Sequence, residues 1–445
     1  MSNYSINTTT LLEPSNSFIK AAFAGNLAYL MENFWMIRLA LMLIGYGTVI
    51  IPCILLVQII KSRYIKRKDY NGDNIFWKGL RFFAIGQPEY ALAVDLSTQD
   101  PNKVSERPED RAAALRKRFV DDCMVLFLYF IGIQTNFVIM GLLQEKIMTQ
   151  GYSLVSNESI IEKFGDTQFL VFCNRIVALI ISFGILAKLW SRLPEHVPPF
   201  YSHSYISLSN TLSSWCQYEA LKYVSFPTQT VCKASKLIPT MLMGRLVRKQ
   251  KYTKQEYGMA FCLAFGAALF FLSNHTGKST HVDSTSVSGI LLMIGYLGFD
   301  AFTLNWQSKL FDTKPKVSKY QMMLGVNLFS AILCIVSLLE QTTLFSSINF
   351  MVEHHDIARD AFFLSLSGTI GQIFIYMTVE KFGPIVFAVI MTIRQIISIV
   401  LSSLYFGHGL TLLGMLGLSI AFGSILYSTY NRYFATTQHT KKEIL

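Results

Sequence analysis

The sequence predicts an all-α integral membrane protein: a ten-span core containing an inverted repeat, preceded by one extra N-terminal span. Three observations carry this. Of 445 residues, 52% are apolar and only 15% charged, against roughly 25% charged in an ordinary soluble domain. Eleven apolar runs come close to or exceed the length a helix needs to cross the hydrocarbon, about 20 residues. The basic residues concentrate in alternate loops between those runs.

Taken in order, residues 1–35 read as a lumenal N-terminal segment and 36–60 as the extra span. That run is longer than a signal-peptide core of roughly 7–15 residues, so it reads as a span or signal anchor. Residues 61–121 form a basic cytoplasmic linker in which IFWKGLRFFAIG suggests an interfacial amphipathic helix. The core runs over 122–430, with spans near 122–145, 169–189, 200–222, 225–244, 255–273, 287–308, 320–340, 361–380, 384–405 and 410–430. Residues 431–445 are a cytoplasmic tail.

Of 39 Lys and Arg residues, 28 fall on one side of this arrangement, six on the other and five within spans. The positive-inside rule then puts the C-terminus in the cytoplasm and the N-terminus on the lumenal side. Four glycosylation sequons, at Asn3, Asn7, Asn157 and Asn274, all fall on that lumenal side. The net charge of +11 is spread between apolar spans rather than gathered in one basic domain, which argues against a nucleic-acid partner and for membrane lipid. None of the seven cysteines forms a CxxC or a Cys/His cluster, so no metal is expected. His354 and His355 in VEHHD read as a solvated lumenal loop.

SNTLSSWCQYEALKYVSFP (209–227) aligns with SGTIGQIFIYMTVEKFGP (367–384) with one gap. Each copy is followed by a span carrying a cation nine or ten residues past its proline, Lys236 after Pro227 and Arg394 after Pro384. The copies lie five spans apart, and an odd number inverts the second in the membrane. Inverted repeats with a site near the midplane mark secondary transporters.

In CKASKLIPTMLMG (232–244), Lys233 and Lys236 sit three apart in an apolar run. With Arg394 they would cost very roughly 7–10 kcal/mol if all three faced lipid. They must face a wet cavity, an acidic partner or an anionic ligand. One helical turn brings both lysines to one cavity, and Arg suits phosphate or sulfate through its planar fork. The few acidic groups inside spans leave structural ion pairs as the alternative, with Arg175 and Glu219 as the pairing to expect. Asp300, Asn305 and Gln307 share one span, as cavity-lining or interhelical hydrogen-bonding groups. Gln372 in the second repeat copy and Gln395 beside Arg394 join the candidate set. No P-loop, GxSxG or HExxH is present, and no enzyme is expected.

At these residues a resemblance enters. The core resembles the nucleotide-sugar transporters of the drug/metabolite transporter superfamily. YEALKYVSFPTQTVCKASKLIPTMLMG, FDAFTLNWQ and MTIRQIISIVLSSLYFGHGLT are similar to the Golgi group that carries 3′-phosphoadenosine 5′-phosphosulfate (PAPS), the sulfate donor. The resemblance covers about 122–430 and implies antiport of PAPS from the cytosol into the Golgi lumen in exchange for an adenine nucleotide, by alternating access. It implies no cofactor and leaves a homodimer open. Uridine-linked relatives commonly show Thr-x-Arg-Lys where this chain has Thr392, Ile393, Arg394 and Gln395, and Asn327 sits where related transporters use Asn for the nucleotide. A uridine- or guanosine-linked sugar antiporter and an integral-membrane transferase are the alternatives. The C-terminal KKEIL misses a dilysine retrieval signal by one position.

Overall fold

The computed structural model describes residues 35–66, 75–87, 108–149, 151–154, 157–193, 196–220, 223–224, 232–233, 235–273, 287–314, 316–405, 411–425 and 427. Contacts divide the chain into two units, Met1–Leu56 and Val57–Leu445. The first helix, α1 (Trp35–Lys66), carries Pro52. Leu43, Ile44, Ile51, Ile54 and Leu55 stand exposed on it, as lipid-facing residues do.

In the second unit, α2 (Ile75–Ala84) is the amphipathic helix expected in the linker. Its C-terminal end docks on the approach to the third core span through Phe200 N–H to the Phe82 carbonyl, Tyr201 N–H to Phe83 and Gln87 N–H to Val197. Gly86 makes the turn at φ +78°, where a Cβ would collide with the Val197 carbonyl.

The core helices are α3 (Pro108–Thr149), α4 (Thr167–Leu189), α5 (Ser202–Ala220), α6 (Leu237–Val247), α7 (Lys254–Ser273), α8 (Val287–Phe311) and α9 (Lys319–Glu340). After a short α10 (Leu344–Glu353) come α11 (His355–Tyr405) and α12 (Leu412–Ile425). Helix α11 is two spans in one: Gly383 breaks it at φ 83°, just before Pro384, where proline cannot supply a helical N–H. Six described helices are long and apolar enough to cross a membrane.

The structure refines the sequence reading at three places. The first core helix reaches back to Pro108, beyond its apolar span Val120–Met148, which agrees with the span expected near 122, so ALRKRF at the end of the linker is helical. The 225–244 span is not one regular helix: 225–231 lie outside the described residues, Ser235–Lys236 is a turn and Lys236 caps α6. Pro239 then falls in the first turn of α6, where its missing N–H costs nothing. The polar ends after α3 and α9 also fold. Strands β1 (Tyr152–Leu154) and β2 (Asn157–Glu162) pair antiparallel, and α10 is held by Ser347, whose hydroxyl donates to the Asp166 carboxylate that caps α4. Sequon Asn157 lies in β2 of this hairpin, whereas Asn3, Asn7 and Asn274 fall outside the described residues.

The inverted repeat is visible atom by atom. Aligned Ser209 and Ser367 each donate to a backbone carbonyl of a neighbouring helix, Phe299 on α8 and Asn136 on α3. Aligned Cys216 and Phe374 each lie against a glycine one turn earlier on that same neighbour, Gly295 and Gly132. Thus α5 packs on α8 as α11 packs on α3, with positions 132, 136 and 295, 299 as mates. Two further pairs are self-matched by the same exchange: α4 with α9, and α7 with α12, where Gly266 and Gly417 bring the backbones into contact. Small residues permit such close approach.

Candidate functional site

A cavity of about 400 Å³ lies on this pseudo-two-fold axis, within the ordinary range for small-molecule sites. On α5 it is lined by Asn210, Ser213, Ser214 and Gln217, and on α11 by Gly368, Gly371, Gln372 and Ile375. These eight are repeat mates, four on each helix and spaced along one stripe, while Ile206 of α5 and Ser367 and Tyr376 of α11 line the cavity without a lining mate. On the neighbouring pair, Phe137 and Met140 of α3 match Asp300 and Thr303 of α8.

Among the described residues, two cations line the cavity. Lys236 is 7% exposed and pairs with Asp300 at 3.4 Å, its ammonium lying 5.4 Å from the Phe387 ring centroid. The other is Arg175, which donates to Asn327 Oδ1 at 3.3 Å and has no partner for its Nε–H among the described residues. Asn327 in turn donates to Gln372 Oε1 at 3.1 Å, and Gln372 donates to the Tyr376 hydroxyl at 3.1 Å. This chain joins α4, α9 and α11, and every link after Arg175 is polarised by the guanidinium.

The two remaining cations sit on the Lys236 side of the cavity. Arg394 is half-buried, with its guanidinium 4.9 Å from the ring centroid of cavity-lining Phe137 and its Nε–H without a partner among the described residues. Lys233 lies near enough to Arg394 and Lys236 for both to act on it electrostatically. A polar pocket with buried guanidinium N–H groups that have no partner among the described residues can take an anion, because a donor left unpaired in the interior costs about 1–3 kcal/mol.

The expected site residues therefore separate. Lys236, Asp300 and Gln372 line the cavity; Asn327 stands one hydrogen bond behind, and Lys233 and Arg394 gather beside Lys236. Asn305 does not line it: its amide ties α8 to α6 by donating to the Thr240 carbonyl at 2.9 Å. Gln395 is half-buried outside the lining, its Oε1 without a donor among the described residues. The Arg175–Glu219 pairing is not formed among the described residues. Arg175 turns to Asn327, while Glu219, buried and engaged elsewhere, lies off the cavity. Sequence reasoning missed Arg175 as a cavity group, along with Asn136, Asn174, Asn210 and Gln217. Their signal was the period: polar residues recurring every three or four positions through otherwise apolar spans.

Comparison with known proteins gives a consistent answer. Residues 125–432 match the model of the UAA transporter family. The chain is 55% identical to the Caenorhabditis elegans "Adenosine 3'-phospho 5'-phosphosulfate transporter 1" over 90% of this chain and 93% of the relative. It is 40% identical to the human protein of the same name, over 89% and 88%. It is also similar, at 36% identity over 74% and 92%, to the Arabidopsis thaliana "UDP-galactose/UDP-glucose transporter 5".

Proposed function

The chain belongs to the UAA transporter family, a multi-pass membrane transporter, and from that premise we propose that its cargo is PAPS, carried from the cytosol into the Golgi lumen. The observation that carries this is the cluster of four cations, Arg175, Lys233, Lys236 and Arg394, around one cavity with a single neutralising carboxylate, Asp300, among its described lining residues. PAPS has a 3′-phosphate and a 5′-phosphosulfate at separated places on one adenosine, and so needs cations at more than one point. A diphosphate-linked sugar concentrates its charge at one. The names of the nematode and human relatives support the same cargo.

Return of the carrier with an adenine nucleotide makes the cycle an exchange by alternating access. Electrostatics support this, because an empty cavity with excess positive charge is costly to carry through an occluded state. Charge partition and sequons support a cytoplasmic C-terminus and a lumenal hairpin.

Proteoliposomes loaded with adenosine 3′,5′-bisphosphate or AMP test the reading. They take up labelled PAPS, while UDP-galactose and UDP-glucose enter no faster than into empty liposomes. The reverse preference would overturn the cargo and favour the second reading, a UDP-sugar carrier, which the Arabidopsis relative supports.

A further inference from the structure

The repeat allows one end of the carrier to be read from the other. Near the α2 end, Phe311 of α8 meets Tyr376 of α11 edge to face, with ring centroids 6.4 Å apart. Both are sealed in one apolar cluster with Leu310, Val379 and Phe387, Phe311 at 3% and Tyr376 at 1% exposure. Tyr376 also lines the cavity, so its ring separates the cavity from that end. Repeat alignment matches Tyr376 with Tyr218 on α5, and the glycine mates carry Phe311 to Met148 on α3. The mates are in the opposite condition. Tyr218, next to cavity-lining Gln217, is 60% exposed, and Met148 is half-buried.

We propose that Phe311–Tyr376 and Met148–Tyr218 are the two gates of the carrier, the first closed and the second open in this structure. Tight cores switch between discrete packings rather than deforming continuously, so the opposite state exchanges the two environments. Tyr218 closes on the Met148 thioether, a favourable sulfur–aromatic contact, while Phe311 and Tyr376 part. The gate is wired to the cargo site. Arg175, Asn327 and Gln372 lead by successive hydrogen bonds to the Tyr376 hydroxyl. An anion that draws Arg175 away from Asn327 thereby loosens the closed gate. The inference rests on the exchange reading above, and its test separates the two.

The full-length chain carrying Phe311→Cys and Tyr376→Cys is reconstituted and bridged with a short bis-thiosulfonate, with the native protein treated alike. Bridging reduces nucleotide exchange to background, and reduction restores it. In the triple variant that adds Tyr218→Cys, a membrane-impermeant maleimide labels position 218 severalfold faster when the bridge is in place, because the carrier is held with that end open. Exchange at the native rate in the bridged protein, or labelling indifferent to the bridge, overturns the gates. If the native protein exchanges none of the nucleotides offered, the cargo reading fails, yet the labelling comparison still decides the gates. Single variants at exposed position 218 give a further check. Tyr218→Phe keeps exchange, whereas Tyr218→Ala, expressed at native levels, loses roughly tenfold, the scale of a lost aromatic contact. An aromatic that merely anchors the helix at the lipid interface would leave both near native.

Discussion

Lys236 and Arg394 occupy corresponding places in the two halves of the repeat, yet they are held by different chemistry. Lys236 is paired with Asp300. Arg394 lies over Phe137, and Phe137 is the repeat mate of Asp300. Where one half neutralises its cation with a carboxylate, the other offers an aromatic face, which attracts the cation by about 0.5–2 kcal/mol without cancelling its charge. The scaffold is symmetric and its electrostatics are not. Arg394 thus keeps a charge available to an incoming anion, while Lys236 must first share or surrender Asp300.

The sharpest way to break that comparison is to remove each cation in turn. Arg394→Ala eliminates a charge-assisted contact worth about 2–3 kcal/mol, so PAPS uptake falls roughly 30- to 150-fold. Lys236→Met falls less, about tenfold, because part of its attraction is already spent on Asp300. Asp300→Asn moves the other way and lowers the concentration for half-maximal uptake, with reduced yield of folded protein as Lys236 loses its counter-charge. Initial uptake rates across a PAPS series, normalised to reconstituted protein, measure all three. Equal losses for Arg394→Ala and Lys236→Met would mean that the halves are equivalent after all.

The spans were legible because lipid leaves a helix little choice: backbone groups must be satisfied internally and side chains must be apolar. Elements beyond the bilayer were not. The charged start of α3 looked like linker because helices in water need no apolar run. The break before α6 was hidden because neither Pro239 nor the turn at Lys236 alters the apolar composition around it. At the site, the cost of charge in an apolar helix singled out Lys233, Lys236 and Arg394 without any structure. Which acid each would meet was not readable. Asp300 lies 64 positions from Lys236, and Arg175 takes an amide 152 positions away rather than Glu219. Cost is local in sequence; its relief is not.

Packing at the mated glycines sharpens the comparison further. A Cβ at Gly132 would stand 2.7 Å from the Phe374 ring, whereas at Gly295 it would meet the Cys216 sulfur at 3.3 Å. Gly132→Ala therefore forces a large ring aside, an overpacking cost of about 1–3 kcal/mol. Gly295→Ala asks a small side chain to yield a few tenths of an ångström, which the roughly 0.5–1 kcal/mol helical advantage of alanine offsets. Thermal unfolding in detergent should show a clear drop for the first and little change for the second. Matching drops would mean that Cys216 is held as rigidly as Phe374.

The smallest effects belong to the mated serines. Ser209→Ala and Ser367→Ala each delete one interhelical hydrogen bond, of 2.7 and 2.9 Å, worth about 0.6 kcal/mol between membrane helices. The carbonyls left behind are not equivalent. Phe299 still accepts from the Thr303 hydroxyl at 2.9 Å, whereas the corresponding neighbour of Asn136 is Met140, which has no proton to donate. Ser367→Ala should therefore destabilise slightly more than Ser209→Ala, with the double variant additive because the two bonds share no partner. Unfolding midpoints of the three variants, compared at one detergent concentration, measure the difference. A larger loss for Ser209→Ala would show that Thr303 gives that carbonyl no support, and that the halves differ in cation chemistry but not in the bonds that hold their helices together.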